Sequence, residues 1–445
     1  MAGGAVMSLK KHAAWLGGAV LAVVWAQPGH AQAVSSGVAG ATQTRSASTV
    51  FNNTVVSKSP AESNAVRSRP QEDYDPIGGR VGSFFLYPWL EDAIIYDDNV
   101  YAEPHDKIGD GLNRVSGAVS AVSDFARHAL NVSVAFDNYT YFNESRQNRT
   151  DVGGKANWRV DVTQDFNITG FANAVYDHEP PGSLEAPQNA LEPVPFTNVE
   201  GGLSLNKRFN RLSGSLAGSA ATISYDNVDA VGGGTLNQHY RDGQTYVAAT
   251  RWAYEFSPGY AGFALVEGNV RDFDKDGYNR SSQGITGLGG VEFDITDLIH
   301  GELGFGYLVQ DYKDGDLKDI SDWTMRAAVL YNPTALLTLN LIAERRVGET
   351  IQTNASGRLD TLVRLVADYE MLRNLIFSPY LGFIHSNYEG SGRKDDLVTT
   401  GIKVDYLVNR NFSANIFYDF TDRSSNFSQY DYTRNYTGVG LRLQF

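Results

Sequence analysis

Residues 431–445 read Asp-Tyr-Thr-Arg-Asn-Tyr-Thr-Gly-Val-Gly-Leu-Arg-Leu-Gln-Phe and finish in strict alternation. Val439, Leu441, Leu443 and Phe445 fall on one side, with Gly440, Arg442 and Gln444 on the other. Successive side chains of a β-strand point to opposite faces, so this segment offers one apolar face and one wet face. A strand of this kind in lipid needs a partner along each edge, because backbone polar groups in hydrocarbon must be paired internally. The rest of the chain is expected to supply those partners.

The composition agrees with a sheet. A length of 445 residues fits several soluble domains or one large closed barrel. Hydrophobic residues make up 42%, yet after residue 26 no uninterrupted apolar run approaches a helical span, which takes about 18 residues. Gly (45), Tyr (24) and Phe (22) give a profile of aromatic, β-rich segments separated by turns. No cysteine is present, which excludes disulfides, thiolate metal sites and cysteine nucleophiles. The hydrogen-bond ladder of a closed sheet is then the expected source of stability.

The N-terminal region has Lys10, Lys11 and His12, an apolar stretch from Ala13 to Ala26, and Ala31-Gln32-Ala33. This layout predicts a secretory signal peptide over residues 1–33, too short in its apolar part to act as an anchor. Its removal takes two lysines and no acid, so the net charge becomes 35 minus 51, or −16. Such a charge disfavours nucleic acid and anionic membrane surfaces as partners. Residues 34–82, rich in Ser, Thr, Ala, Asn and Arg with little apolar periodicity, read as a flexible periplasmic arm.

From residue 83 onward, segments with period-two or aromatic-rich character follow one another. Short connections recur near Phe125, Asp165, Asn210, Pro258, Asp297, Pro333, Asn374 and Arg410. Longer polar connections lie between them. Short turns alternating with long loops predict an antiparallel transmembrane β-barrel over 83–445, of about 18 strands with 16–20 compatible. In Ala156–Val162 the apolar set is Ala156, Trp158, Val160 and Val162, opposed by Asn157, Arg159 and Asp161. A soluble sandwich would alternate too, but its strands are shorter. Tyr141, Tyr176, Tyr225, Phe256, Tyr312, Tyr388, Phe412 and Tyr432 are expected to form interfacial girdles.

A barrel of this width cannot be filled by its own side chains. The alternation places Lys155, Arg159, Asp161, Glu200, Arg251, Glu255, Arg326, Glu344, Arg346, Arg364, Asp368, Lys403, Asp405, Arg434 and Arg442 on the wet inner face. Such residues either orient a charged or sugar-like solute or simply solvate the lumen. The loop from His178 to Phe196 carries five prolines and folds either inward as a constriction or outward as a lid. The arm is a second candidate to enter the lumen.

Other chemistry is weakly signalled. Asp272-Phe273-Asp274-Lys275-Asp276-Gly277 has the opening spacing of a calcium loop, but Gln283 stands where the closing Glu belongs, so a solvated hairpin tip is expected. Asp97-Asp98 and Asp177-His178 resemble the acid pairs of omptin proteases, which are smaller barrels. His385 and Ser386 are adjacent strand residues facing opposite ways and cannot act as base and nucleophile. No enzyme, cofactor or metal site is expected.

Tyr96-Asp97-Asp98-Asn99-Val100, the Arg127-His128 turn, the Tyr-rich third strand and the Phe445 ending resemble the outer-membrane β-barrel porins of alphaproteobacteria. That family is often associated with exopolysaccharide loci. The resemblance implies a Gram-negative outer-membrane pore that passes or helps export a surface polysaccharide. It also implies lipid and lipopolysaccharide as surroundings, and the barrel assembly machinery as reader of the terminal strand. A structural or adhesive surface protein with a closed lumen is the rival reading, and a surface hydrolase the remote one.

Overall fold

The computed structural model describes residues 60–273, 280–296 and 298–445. The leader assigned to residues 1–33, the first part of the arm and the 274–277 tip of the acidic loop lie outside them.

Eighteen long strands follow in chain order. They are β1 (Phe84–Asp97), β2 (Asp110–Ser123), β3 (Ala129–Tyr141), β4 (Arg149–Thr163), β5 (Phe166–Glu179) and β6 (Val194–Phe209). Next come β7 (Leu212–Tyr225), β8 (Gly243–Ser257), β9 (Tyr260–Phe273), β10 (Ser282–Ile295), β11 (Ile299–Tyr312) and β12 (Ile320–Thr334). The last are β13 (Leu337–Gly348), β14 (Arg358–Leu372), β15 (Leu375–Tyr388), β16 (Lys394–Leu407), β17 (Phe412–Ser425) and β18 (Tyr432–Gln444). Each pairs antiparallel with its sequence neighbour, and β1 pairs with β18 from Trp89↔Gln444 to Asp97↔Tyr436, which closes the sheet. A three-residue strand, Gly79–Val81, adds to the start of β1.

Turn chemistry sets one rim. Ser257-Pro258-Gly259-Tyr260 joins β8 to β9, with Gly259 at φ 77°, the positive value a type II turn needs after proline. A Cβ on Gly259 would stand 2.4 Å from the Asp294 carbonyl oxygen. The turn expected at Pro333 falls two residues later, at 335–336, because the strand continues through Thr334 past a bulge. These short turns gather at one rim, and the longer connections at the other.

Faces separate as the terminal strand suggested. In β18, Val439, Leu441 and Leu443 are exposed, whereas Tyr432, Tyr436, Arg442 and Gln444 are buried. Among the described residues the apolar side chains of the inner wall gather in several small clusters, such as Ile95, Leu112, Tyr139, Phe417 and Tyr436, rather than in one core.

Residues of the expected arm lie against this inner wall. Helix α1 (Pro60–Asn64) starts the segment, and Asn332 donates to the Ala61 carbonyl at 2.7 Å. Val66 donates its amide to Thr338 and packs on Ile376 and Leu407. Arg67 pairs with Asp368 at 2.6 Å and Asp405 at 2.7 Å. Burial opposes the Arg67 charge, but Asp405 and Asp368 outweigh it and hold its pKa above the ordinary value. Arg410 then donates to the Glu72 carbonyl, and Gln444 to that of Tyr74. The segment forms a strap along the wall at the short-turn rim.

One ladder is incomplete. The pairing of β12 with β13 stops at Arg326↔Glu344, leaving Ile320–Met325 and Arg345–Gly348 without rungs to each other. Their other neighbours stay paired, from Gln310↔Ile320 and from Gly348↔Arg358.

Candidate functional site

The connection between β5 and β6, residues 180–193, crosses the lumen. Its far contacts lie on β14–β18, the opposite side of the ring. Glu185 accepts from Arg358 and from the Ile351 amide at 2.6 Å. Arg358 is fully buried, and its Nε and Nη2 hold Asp360 at 2.6 and 2.9 Å. Leu184 packs on Ile384 and Leu397 from β15 and β16. Tyr432 donates its hydroxyl to the Gly182 carbonyl at 2.9 Å. Proline fixes φ in this loop and asks for no ladder bond, so the segment spans open space at low entropic cost.

A second connection, 226–242, braces the first. Leu191 donates to the Asp229 carbonyl and Val231 to that of Asn189, at 3.0 and 2.8 Å. Arg241 grips Glu179 through two bonds of 2.8 Å and lies 3.8 Å from the Tyr225 ring centroid. Opposite, Arg393 stacks 3.3 Å from the Tyr430 centroid and shares Asp395 with Arg423. Charge-assisted bonds in partly desolvated places are the strong kind, so this constriction is built rather than incidental.

All fifteen residues that alternation selected share the register face opposite the exposed apolar side chains. Several meet. Arg251 and Arg326 both pair with Glu302, at 3.0 and 2.6 Å. Arg159 holds Asp161 at 2.7 Å, Lys403 holds Asp405 at 3.0 Å, and Arg346 stands 3.4 Å from Glu344. Arg434 binds Asp97, with Nε at 2.9 Å. Lys155, Asn173 and Glu200 form one cross-strand row. Asp368 serves the strap, and Glu255 pairs with Arg208 at 3.1 Å near the turns. Arg364 lies over Tyr380 and Arg442 over Trp89, at 5.5 and 4.2 Å.

The expected aromatic girdle needs correction. Tyr141, Tyr225, Tyr312, Tyr388 and Tyr432 are buried on the inner face, while Tyr176 and Phe256 are exposed. Parity already separates them, since Tyr432 alternates in step with Arg434 and Arg442. The same rule would have added Arg114, Arg149, Arg358 and Arg423 to the inner set. Glu185, Arg241 and Arg393 had no such signal, because they sit in connections.

Of the acid pairs considered for hydrolysis, Asp97 is bound to Arg434 and Asp98 to the Asn435 amide at 2.6 Å. His178 faces Asp151 at 2.7 Å. The two dipeptides engage different partners and do not form one constellation. Among the described residues no group of three or more His, Asp or Glu is arranged to hold a metal ion.

A closed antiparallel barrel, apolar outside and charged within, with tight turns at one rim, defines the porin-like class of outer-membrane channels. Residues 71–445 match the family described as "Putative beta-barrel porin 2", and the chain belongs to that family. Solved structures to which the chain is similar include OpdK with vanillate from Pseudomonas aeruginosa, 12% identical, covering 81% of this chain and 99% of that one, TM-score 0.43. Another is OccAB4 of Acinetobacter baumannii, 12% identical over 85% of this chain and all of its own, TM-score 0.41. The siderophore receptor PiuA of the same organism aligns at 10% identity over 83% and 82%, TM-score 0.44. No curated protein matches the chain.

Proposed function

We propose that the barrel is a constricted pore for hydrophilic solutes, with a surface polysaccharide as the cargo class. The observation that carries this reading is the inner wall, where cations, acids and aromatic faces alternate around a loop fixed by buried ion pairs. Sugar hydroxyls suit mixed donors and acceptors, and sugar rings suit tyrosine and tryptophan faces. Guanidinium groups stacked on tyrosine, as at Arg393 and Tyr430, keep those faces oriented. Charges of both signs predict weak ion selectivity.

A closed-lumen surface protein is the rival, favoured by the loop at one end and the strap at the other. Single-channel recording in planar bilayers separates the two. Stepwise openings that a soluble oligosaccharide interrupts support the pore, and a folded, heat-modifiable barrel that never opens refutes it.

A further inference from the structure

The ring closes where β1 meets β18, and the ladder there stops at Asp97↔Tyr436, the end of β1. β18 runs further toward the rim of long connections. Its residues 432–435 keep β17 on one edge, as far as Arg423↔Tyr432, and lose β1 on the other. An open edge in a barrel wall leaves backbone polar groups without partners. Here the motif Asp97-Asp98-Asn99 supplies them. The Asp98 amide donates to the Asn435 carbonyl at 3.1 Å. One oxygen of the Asp98 carboxylate accepts the Asn435 amide and the other accepts Asn435 Nδ2, both at 2.6 Å. Asn99 Nδ2 donates to the Thr433 carbonyl at 2.9 Å and to the Glu103 carbonyl at 2.8 Å, while its Oδ1 accepts the Glu103 amide.

The motif also reaches the constriction. Asp97 is fully buried and accepts both Nε, at 2.9 Å, and Nη2 of Arg434. Such a two-pronged pair fixes direction as well as adding energy. Arg434 Nη1 is thereby turned to the Pro181 carbonyl at 3.5 Å, and Tyr432, two residues earlier on β18, donates to the Gly182 carbonyl at 2.9 Å. Gly182 lies at φ 87° against the turn that follows the motif, where a Cβ would stand 2.8 Å from the Ala102 Cβ. The 180–193 connection is thus seated on the seam at its start and on Arg358 at its far side.

We infer that Asp97-Asp98-Asn99 is a clasp that joins the first strand to the last beyond their shared ladder, and that Asp97 is a positioning residue for the constriction, acting through Arg434 on Pro181. The acid pair that resembles that of the omptin proteases closes the wall instead. The first half of the inference concerns the seam alone, and the second rests on the reading of 180–193 as the constriction. With both tasks in one motif, a barrel whose seam parts at this rim loses the seat of its loop as well.

The test uses the full chain in lipid nanodiscs and planar bilayers, with heat-modifiable migration confirming that each variant is folded. Hydrogen–deuterium exchange over residues 432–436 reads the seam. Asp98→Ala removes both carboxylate bonds and should speed exchange there about tenfold or more. Asp98→Cys with Asn435→Cys, oxidised in this cysteine-free chain, should hold exchange at or below the wild-type rate. Single-channel recording reads the loop. Asp97→Asn should lengthen open events, as Arg434→Gln should, and the two together should do no more than Arg434→Gln alone. Exchange unmoved by Asp98→Ala in a folded barrel overturns the clasp. Open events that Glu185→Gln lengthens but Asp97→Asn does not, or additive effects of Asp97→Asn and Arg434→Gln, overturn the positioning role. If neither Glu185→Gln nor deletion of residues 181–191 alters conductance, the constriction reading fails and takes the positioning role with it, and the exchange result alone decides the clasp.

Discussion

Glu185→Gln should free the constricting loop. In the wild type Glu185 is 3% exposed at its side chain and takes hydrogen bonds from Arg358 and the Ile351 amide. Breaking a buried ion pair costs about 3–5 kcal/mol when one charge is stranded. Arg358 is not stranded, because Asp360 keeps it through two bonds. The loss is therefore closer to one charge-assisted bond, about 1.5–3 kcal/mol. At 1.4 kcal/mol per decade, the population with the loop released rises about 10- to 150-fold. The remaining anchors, Leu184 on Ile384 and Leu397 and Tyr432 on Gly182, are untouched, so the barrel itself should keep its heat-modifiable migration. Single-channel recording should show longer or larger open events than wild type. Deleting residues 181–191 should go further in the same direction. If conductance is the same in wild type, Glu185→Gln and the deletion, the loop is not the constriction.

Three further outcomes follow from the geometry. Arg67→Ala removes the cation shared by Asp368 and Asp405 and leaves Asp405 to Lys403 alone, so the strap should release and chymotrypsin should cut after Tyr74 faster than in wild type, by tenfold or more. Gly259→Ala forces a Cβ to within 2.4 Å of the Asp294 carbonyl at φ 77°, and its urea midpoint in bilayers should fall by the equivalent of about 1–3 kcal/mol. Leu441→Arg puts a charge on the lipid face, which at the bilayer midplane costs about 2–4 kcal/mol. Leu441→Arg should lower folding stability measurably, whereas Arg442→Gln, on the wet face, should leave it within about 1 kcal/mol.

The period-two rule carried the barrel because both its causes are local. Strand parity is set residue by residue, so Val439 and Arg442 separate without any knowledge of neighbours, and punctuation such as Pro258-Gly259 fixes each hairpin. Contacts that decide the site are distant. Glu185 and Arg358 are 173 positions apart, and Val66 and Thr338 are 272 apart. Nothing in the composition of residues 178–196 says which way the loop bends, since its prolines suit an external lid equally well. Nor does β13 announce its break, because Arg345 and Val347 keep perfect alternation while the strand beside them departs. The buried tyrosines depart from the girdle for a related reason: an aromatic near a strand end fits a lipid interface or a buried cation, and strand parity, not its place along the strand, distinguishes the two.

The strap has a bearing on how the molecule is made. Its first anchors, Thr338 and Asn332, lie far downstream of it, and its last, Arg410 and Gln444, belong to the end of the chain. During synthesis and insertion, then, the N-terminal segment has nowhere to settle until the final hairpins arrive. Latching is a record of completion: a half-built ring keeps its inner mouth unobstructed, and only a finished one can fasten it.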